Sequence, residues 1–470
     1  MRCRCQHHQP HQACDIKQFV TMALLARRAA VEVVTPALRR YIHVLSSATL
    51  ARSARTSSSS SYVARAFSSQ HRPTNAPHTR YHQGFANFSS FASSPKEQEQ
   101  PQEDTAVEPE QKPIYDYALA AAYTAKDVPY NPIRNVTTFT APKEPPTPRK
   151  GRLPRNLRPA SGQDAYFITQ RQSSPASYAF GVADGVGGWA DSGVDPADFS
   201  HAFCENMASV YRNTSPASLS SAQKLMQIGY DSVLADKTIS AGGSTACIAV
   251  ASPKGCIEIA NLGDSGFMHI RTGAIRHASE PQIHAFNTPY QLAVIPESMR
   301  KRTQAFGGTQ LCDMPRDSAV SRHAVKHGDV LVLATDGVWD NIAPSDVLQA
   351  VGRIMVTAGA WEDKGRGIVV ADSLRELTDV QINDINREAV EKGEFDGKVG
   401  GRKTREEGIR GLQGYLAAAI AGEAKVASEN HKRDGPFAKE VQKYYPEEMW
   451  HGGKVDDICV VVVVAVEEGK

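Results

Sequence analysis

Apolar runs and single aspartates alternate along this chain in a repeated way. Tyr178-Ala-Phe-Gly-Val-Ala leads into Asp184-Gly185, and Ala260-Asn-Leu-Gly leads into Asp264. Val330-Leu-Val-Leu-Ala-Thr leads into Asp336-Gly337, and Asp456-Asp457 precedes Ile458-Cys-Val-Val-Val-Val-Val464. Short runs rich in Val, Ile and Phe predict buried strands. A carboxylate where such a strand leaves its sheet is held on a rigid frame, half in the core. Several converging carboxylates would repel each other and resist ionisation unless cations lie between them. Hard divalent ions such as Mg²⁺ and Mn²⁺ take oxygen ligands of this kind.

The remaining pattern predicts a mixed α and β chain. Tyr115, Tyr117, Leu119, Ala121 and Tyr123 alternate at period two, which reads as a strand, while the Ala content leaves a helix open. A further strand begins after Asp164, at Ala165-Tyr-Phe-Ile168. Asp195-Pro196-Ala-Asp198 supplies an N-cap, a first-turn proline and an early acid. Phe199, Phe203, Met207 and Tyr211 then recur at helical spacing and read as core packing. Further helices are predicted over 218–236, 344–357 and 412–429. The runs Cys256–Leu262 and 267–270 flank Gly-Asp-Ser-Gly, which predicts a hairpin. Two insertions are expected, a basic Pro-rich one near 127–158 and a charged, Gly-interrupted one near 360–410 at the surface.

Charge is unevenly spread. Residues 1–67 hold ten Lys/Arg against Asp15 and Glu32, a net +8, which leaves −6 on the rest of a chain whose total is +2. An acidic body argues against nucleic acid as a partner. The basic, Ser- and Ala-rich composition of 1–67 predicts a mitochondrial transit peptide, with Arg65-Ala-Phe67-Ser68 resembling a matrix-protease site. A basic tail is the plainer alternative, and Met22 offers a second start. Residues 68–113 are polar and Pro-bearing and read as a disordered linker. The domain carrying the chemistry is placed at 114–470. Eight cysteines without CxxC spacing predict reduced thiols, and no apolar run is long enough for a membrane span.

Six motifs stand in one order: Gly162-Gln163-Asp164-Ala165, Ala183-Asp184-Gly185-Val186-Gly187-Gly188, Gly243-Ser244-Thr245-Ala246, Asn261-Leu262-Gly263-Asp264-Ser265, Ala334-Thr335-Asp336-Gly337-Val338-Trp339-Asp340 and Asp456-Asp457-Ile458. Together they resemble the metal-dependent protein phosphatases, the PPM or type 2C family, over roughly 115–468 with gaps. Gly185-Val-Gly-Gly-Trp189, Gly193-Val-Asp-Pro196 and the stretch 284–292 look more like one branch, the mitochondrial seven-type phosphatases of fungi and animals. The resemblance implies an α+β fold, two packed antiparallel β-sheets flanked by helices on both outer faces. It implies hydrolysis of phosphoserine and phosphothreonine in mitochondrial matrix proteins by a metal-activated water, without a phosphoenzyme, in a monomer.

The same resemblance assigns site residues. Asp184 bridges two Mg²⁺ or Mn²⁺ ions, the Gly185 carbonyl adds a neutral oxygen, and Asp336 and Asp456 hold one ion from the far side. Asp264 and Asp340 match a possible third ion site. Asp164 lies one layer out beside the metal waters, with Gln163 where the family commonly has an acid. Val186 stands where the family often has a histidine. A proton donor to the leaving group is open between a metal-held water and another residue such as His284. Arg158 is the nearest candidate for a phosphate-binding arginine. The two departures, Gln163 and Val186, motivate an alternative: a weakly active phosphatase fold serving as a binding or regulatory module.

Overall fold

The computed structural model of the chain describes residues 114–141, 154–305, 312–379, 409 and 411–470. The expected transit peptide at 1–67 and linker at 68–113 lie outside the described residues, as do 142–153 and 306–311 and all of 380–410 but 409.

Eleven strands form the two main sheets. In chain order they are β1 (Tyr115–Thr124), β2 (Val136–Thr138), β3 (Ala165–Arg171), β4 (Ser174–Ala183), β5 (Ala246–Ala251) and β6 (Cys256–Leu262). There follow β7 (Gly266–Arg271), β8 (Ala274–Ala278), β9 (Ala319–Ala324), β10 (Val330–Ala334) and β11 (Ile458–Glu467). The first sheet has six strands in the order β2-β1-β11-β10-β7-β8, the second five in the order β9-β6-β5-β4-β3. Every neighbouring pair is antiparallel. β11 is central: Val463 faces Leu119 on one side and Leu331 on the other.

Period two decides which layer each side chain enters. Tyr115, Tyr117, Leu119 and Ala121 of β1 and Cys459, Val461, Val463 and Ala465 of β11 point between the sheets. There they meet Tyr178, Phe180 and Val182 of β4 and Cys247, Ala249 and Ala251 of β5. The alternate positions, such as Ala120, Ala122, Val460, Val462 and Val464, face outward onto helices. Burying each of these valines contributes about 1.5–3 kcal/mol, and each alanine about 0.8 kcal/mol. Both faces of β11 are therefore buried, which is why its sequence is an unbroken apolar run. The Ala-rich β1 is a strand, because its alanines let a helix lie close on one face while its tyrosines fill the other.

Helices α1 (Pro196–Asn213) and α2 (Ala222–Ala235) cover the outer face of the second sheet. Asp195 caps α1 by accepting from the Ala197 N–H at 3.1 Å, and Phe199, Phe203, Met207 and Tyr211 are all buried. Helices α3 (Pro344–Thr357) and α4 (Gly411–Ser428) cover the first sheet. In α4, Ala417, Ala421 and Ala424 are fully buried. A shorter helix, α5 (Pro436–Tyr444), follows. The result is the α-β-β-α layering expected from the sequence.

Two expectations need correction. β6 and β7 do not form a hairpin: β6 pairs with β5 and β9 in the second sheet, and β7 with β10 and β8 in the first. The link 263–265 carries the chain from one sheet to the other. The stretch after 360 is only partly at the surface, since Ala371, Leu374 and Thr378 are buried beside Trp361.

Candidate functional site

Strand ends of the two sheets gather the acids. Asp184 follows the last residue of β4, Asp264 lies in the crossing from β6 to β7, Asp336 opens a short helix (Asp336–Trp339) after β10, and Asp456 sits just before β11. Carboxylate oxygens of Asp184, Asp264 and Asp336 all lie within 4.8 Å of one another. Thr245 and Ser265 tie the Asp184 and Asp264 segments together, with their hydroxyl oxygens 2.8 Å apart and the Thr245 N–H donating to the Asp184 carbonyl at 2.9 Å.

Two glycines permit this closeness. A β-carbon on Gly337 would stand 2.0 Å from the Asp457 carbonyl oxygen, so only glycine lets the short helix abut the start of β11. A β-carbon on Gly185 would stand 2.6 Å from the Gln163 carbonyl, which accepts from the Gly185 N–H at 3.2 Å. Asp340 is one helical turn past Asp336, with its N–H donating to the Asp336 carbonyl at 2.8 Å.

Lys454, which sequence reasoning missed, enters the cluster. Its Nζ donates to Asp336 Oδ2 at 2.6 Å and Asp340 Oδ2 at 2.7 Å, and lies 3.1 Å from Asp456 Oδ2. Asn341 holds its backbone, accepting from the Lys454 N–H at 2.9 Å and donating to its carbonyl at 2.8 Å. A basic residue two places before Asp456, in an otherwise acidic set, was the available signal.

Asp164 and Asp457 stand differently. The Thr335 hydroxyl donates to Asp164 Oδ2 at 2.7 Å and itself accepts from the Cys459 N–H at 3.0 Å. Asp457 is a backbone clamp: its oxygens accept from the N–H groups of Lys126 at 2.7 Å and Gln163 at 2.8 Å.

The electrostatics reflect crowding. Burial, then mutual repulsion, pushes the carboxyls of Asp164, Asp184 and Asp264 well above the usual range. Asp456 is raised for the same reasons, and Asp340 is pushed up to about 7 by burial despite Lys454. Burial alone would pull Lys454 down, but the facing carboxylates hold it well above its ordinary value. Asp264 Oδ1 is buried without a hydrogen-bond partner among the described residues. Close carboxylates, an orphaned buried oxygen and suppressed ionisation fit a group of positive charge with oxygen coordination.

Residues 158–376 match the family model described as protein phosphatase 2C. A relative from Saccharomyces cerevisiae, "Protein phosphatase 2C homolog 7, mitochondrial", is 36% identical over 200 residues, covering 42% of this chain and 58% of the relative. "Protein phosphatase PTC7 homolog fig" of Drosophila sechellia is 39% identical over 188 residues, covering 40% of this chain and 56% of the relative. Residues 158–376 are thus similar to protein phosphatase 2C domains.

The chain thus spans little more than half the length of these curated relatives. The family match ends before Lys454 and Asp456. Among solved structures, the photosystem II phosphatase PBCP is 22% identical and covers 64% of this chain and 91% of its own, with a TM-score of 0.43. The catalytic domain of the serine threonine protein phosphatase PstP, in complex with 2 manganese ions, is 12% identical, covering 74% and 99%, with a TM-score of 0.37.

Three further residues expected at the site have clear positions. Val186 donates its backbone N–H to the Gly243 carbonyl at 3.0 Å, and its hydrocarbon side chain has no proton to transfer. His284 is held by Asp313, its Nε2 3.0 Å from Oδ2, and stacks on Tyr290 at 4.3 Å. Arg158 pairs with Asp198 at 2.7 Å. A cavity of about 360 Å³ opens beside Asp264 and Asp340, walled by Phe267, Phe286, Trp339 and Phe437.

Proposed function

We propose that this chain is a Mg²⁺- or Mn²⁺-dependent phosphatase of phosphoserine and phosphothreonine in mitochondrial matrix proteins. One observation carries the reading: Asp184, Asp264 and Asp336 converge within 4.8 Å, with a buried Asp264 oxygen that has no hydrogen-bond partner among the described residues. Asp184, Asp336, Asp456 and the Gly185 carbonyl would hold two ions, with Asp264 and Asp340 beside them. Divalent ions there supply neutralisation of phosphoryl charge and a water acidic enough to act near neutral pH.

The chain's own residues set the frame for that chemistry. Thr335 aims Asp164 by its hydrogen bond, and Asp164 in turn stands beside the acid cluster. Asp457 fixes the Gln163 backbone, which receives the Gly185 N–H and so sets the entry of the Asp184-Gly185 turn. The aromatic walls next to Asp264 and Asp340 form a place for the polypeptide around a phosphorylated side chain. Arg158 is engaged by Asp198 and is the weakest member of the assignment.

Asp336→Asn keeps the size of the side chain and removes charge. Turnover of a phosphothreonine peptide with Mn²⁺ should fall by about 10²-fold or more. Near-normal turnover in a folded variant would remove Asp336 from the site. The mitochondrial part rests on the basic excess of 1–67 and on the name of the yeast relative. A reporter fused to residues 1–70 should enter mitochondria, and replacing Arg27, Arg28, Arg39 and Arg40 by Gln should leave it in the cytosol.

A further inference from the structure

The proposed chemistry leaves Lys454 without a role, yet it has the most complete set of ionic contacts in the site. An ammonium has three N–H donors and no acceptor. Here three carboxylates meet it, Asp336 Oδ2 at 2.6 Å, Asp340 Oδ2 at 2.7 Å and Asp456 Oδ2 at 3.1 Å. Its side chain is only 16% exposed. Nζ lies over the Phe437 ring, 5.1 Å from its centroid, so an aromatic face also contacts the ammonium. Asn341 grips the Lys454 backbone on both its N–H and its carbonyl, and also donates to the Gly337 carbonyl at 2.9 Å. The lysine and the Asp336 helix are therefore one unit.

We propose that Lys454 is a resident cation that takes the place of a further metal ion between Asp336, Asp340 and Asp456. The inference rests on the metal-dependent reading above. A divalent ion and an ammonium cannot share the same three oxygens, because like charges at such separations repel strongly. An ion entering there would have to expel a side chain held by three charge-assisted bonds. Asp340 is then satisfied without metal, and the two divalent ions are left to Asp184, the Gly185 carbonyl, and the Oδ1 atoms of Asp336 and Asp456, since Lys454 takes the Oδ2 atoms.

The test is a metal count on the full chain, stripped with chelator and then saturated with Mn²⁺. Wild type and Lys454→Arg should hold about two ions per chain. Lys454→Met should hold about one more, because three carboxylates lose their cation. The stripped Met variant should also melt below stripped wild type, and Mn²⁺ should close the gap. If the Met variant folds only when refolded in Mn²⁺, the same count applies: an extra ion supports the inference and an equal count overturns it. Equal, non-zero counts in wild type and Lys454→Met overturn the resident-cation role alone. A wild type that binds no Mn²⁺ overturns the metal-dependent reading and this inference with it.

Discussion

At the scale of single residues, the acids were legible and their partners were not. Asp184, Asp264, Asp336 and Asp456 each adjoin an apolar run, so the pattern that predicts a strand also predicts a carboxylate at its end. Gly337 carries a constraint that pattern alone does not quantify. A β-carbon there would stand 2.0 Å from a backbone oxygen of Asp457, which cannot swing aside like a side chain. Gly337→Ala should therefore cost about 1–3 kcal/mol, as overpacking does, and should lift Asp336 away from its neighbours. Denaturant unfolding and a Mn²⁺ titration would show it; wild-type values in both would mean that the contact relaxes freely. Lys454 and Asn341 were not legible. Their effect comes from contacts between positions more than a hundred residues apart, which no local period records.

At the scale of elements, periodicity placed the strands and helices well and misjudged one connection. β6 and β7 are each buried along almost their whole length, so the pattern around Gly263-Asp264-Ser265 suits a hairpin and a sheet-to-sheet crossing equally. Pairing decides the matter, and the pairing partners lie far along the chain. A second buried acid shows how the first sheet is tied together. Asp329, fully buried before β10, accepts from Arg271 at 2.6 and 2.8 Å, meets His269 Nε2 at 2.8 Å and accepts from the Lys326 N–H at 2.8 Å. Burial would raise its carboxyl, but these bonds outweigh burial and hold it below the ordinary value. The unfolded chain then binds the proton more readily, so the stabilisation is present above about pH 4 and is lost as pH falls through the folded value. Asp329→Asn should cost about 3 kcal/mol at neutral pH, less if Arg271 finds water, because it leaves buried partners unpaired. The deficit should shrink in more acidic buffer. A deficit unchanged down to about pH 3 would contradict the ionised role.

At the scale of the whole molecule, sequence and structure agree on layering. Two antiparallel sheets stack their inner faces, and helices close both outer faces. The six motifs are dispersed over almost three hundred residues and come together because the strands beside them end near one another. What the sequence expressed only coarsely was the stretch after 360. Its charge suggested a surface segment, while Ala371 and Leu374 anchor its first part in the core.

The central claim is that the gathered acids bind divalent ions to hydrolyse phosphate monoesters. The most direct measurement is release of phosphate from phosphoserine and phosphothreonine peptides by the full chain, first stripped with chelator and then titrated with Mn²⁺. The account predicts negligible release without metal, saturable release with it, and loss of about 10²-fold or more in Asp336→Asn under the same conditions. Release that is equal with and without Mn²⁺, or absent at every Mn²⁺ concentration from a folded chain, would contradict it.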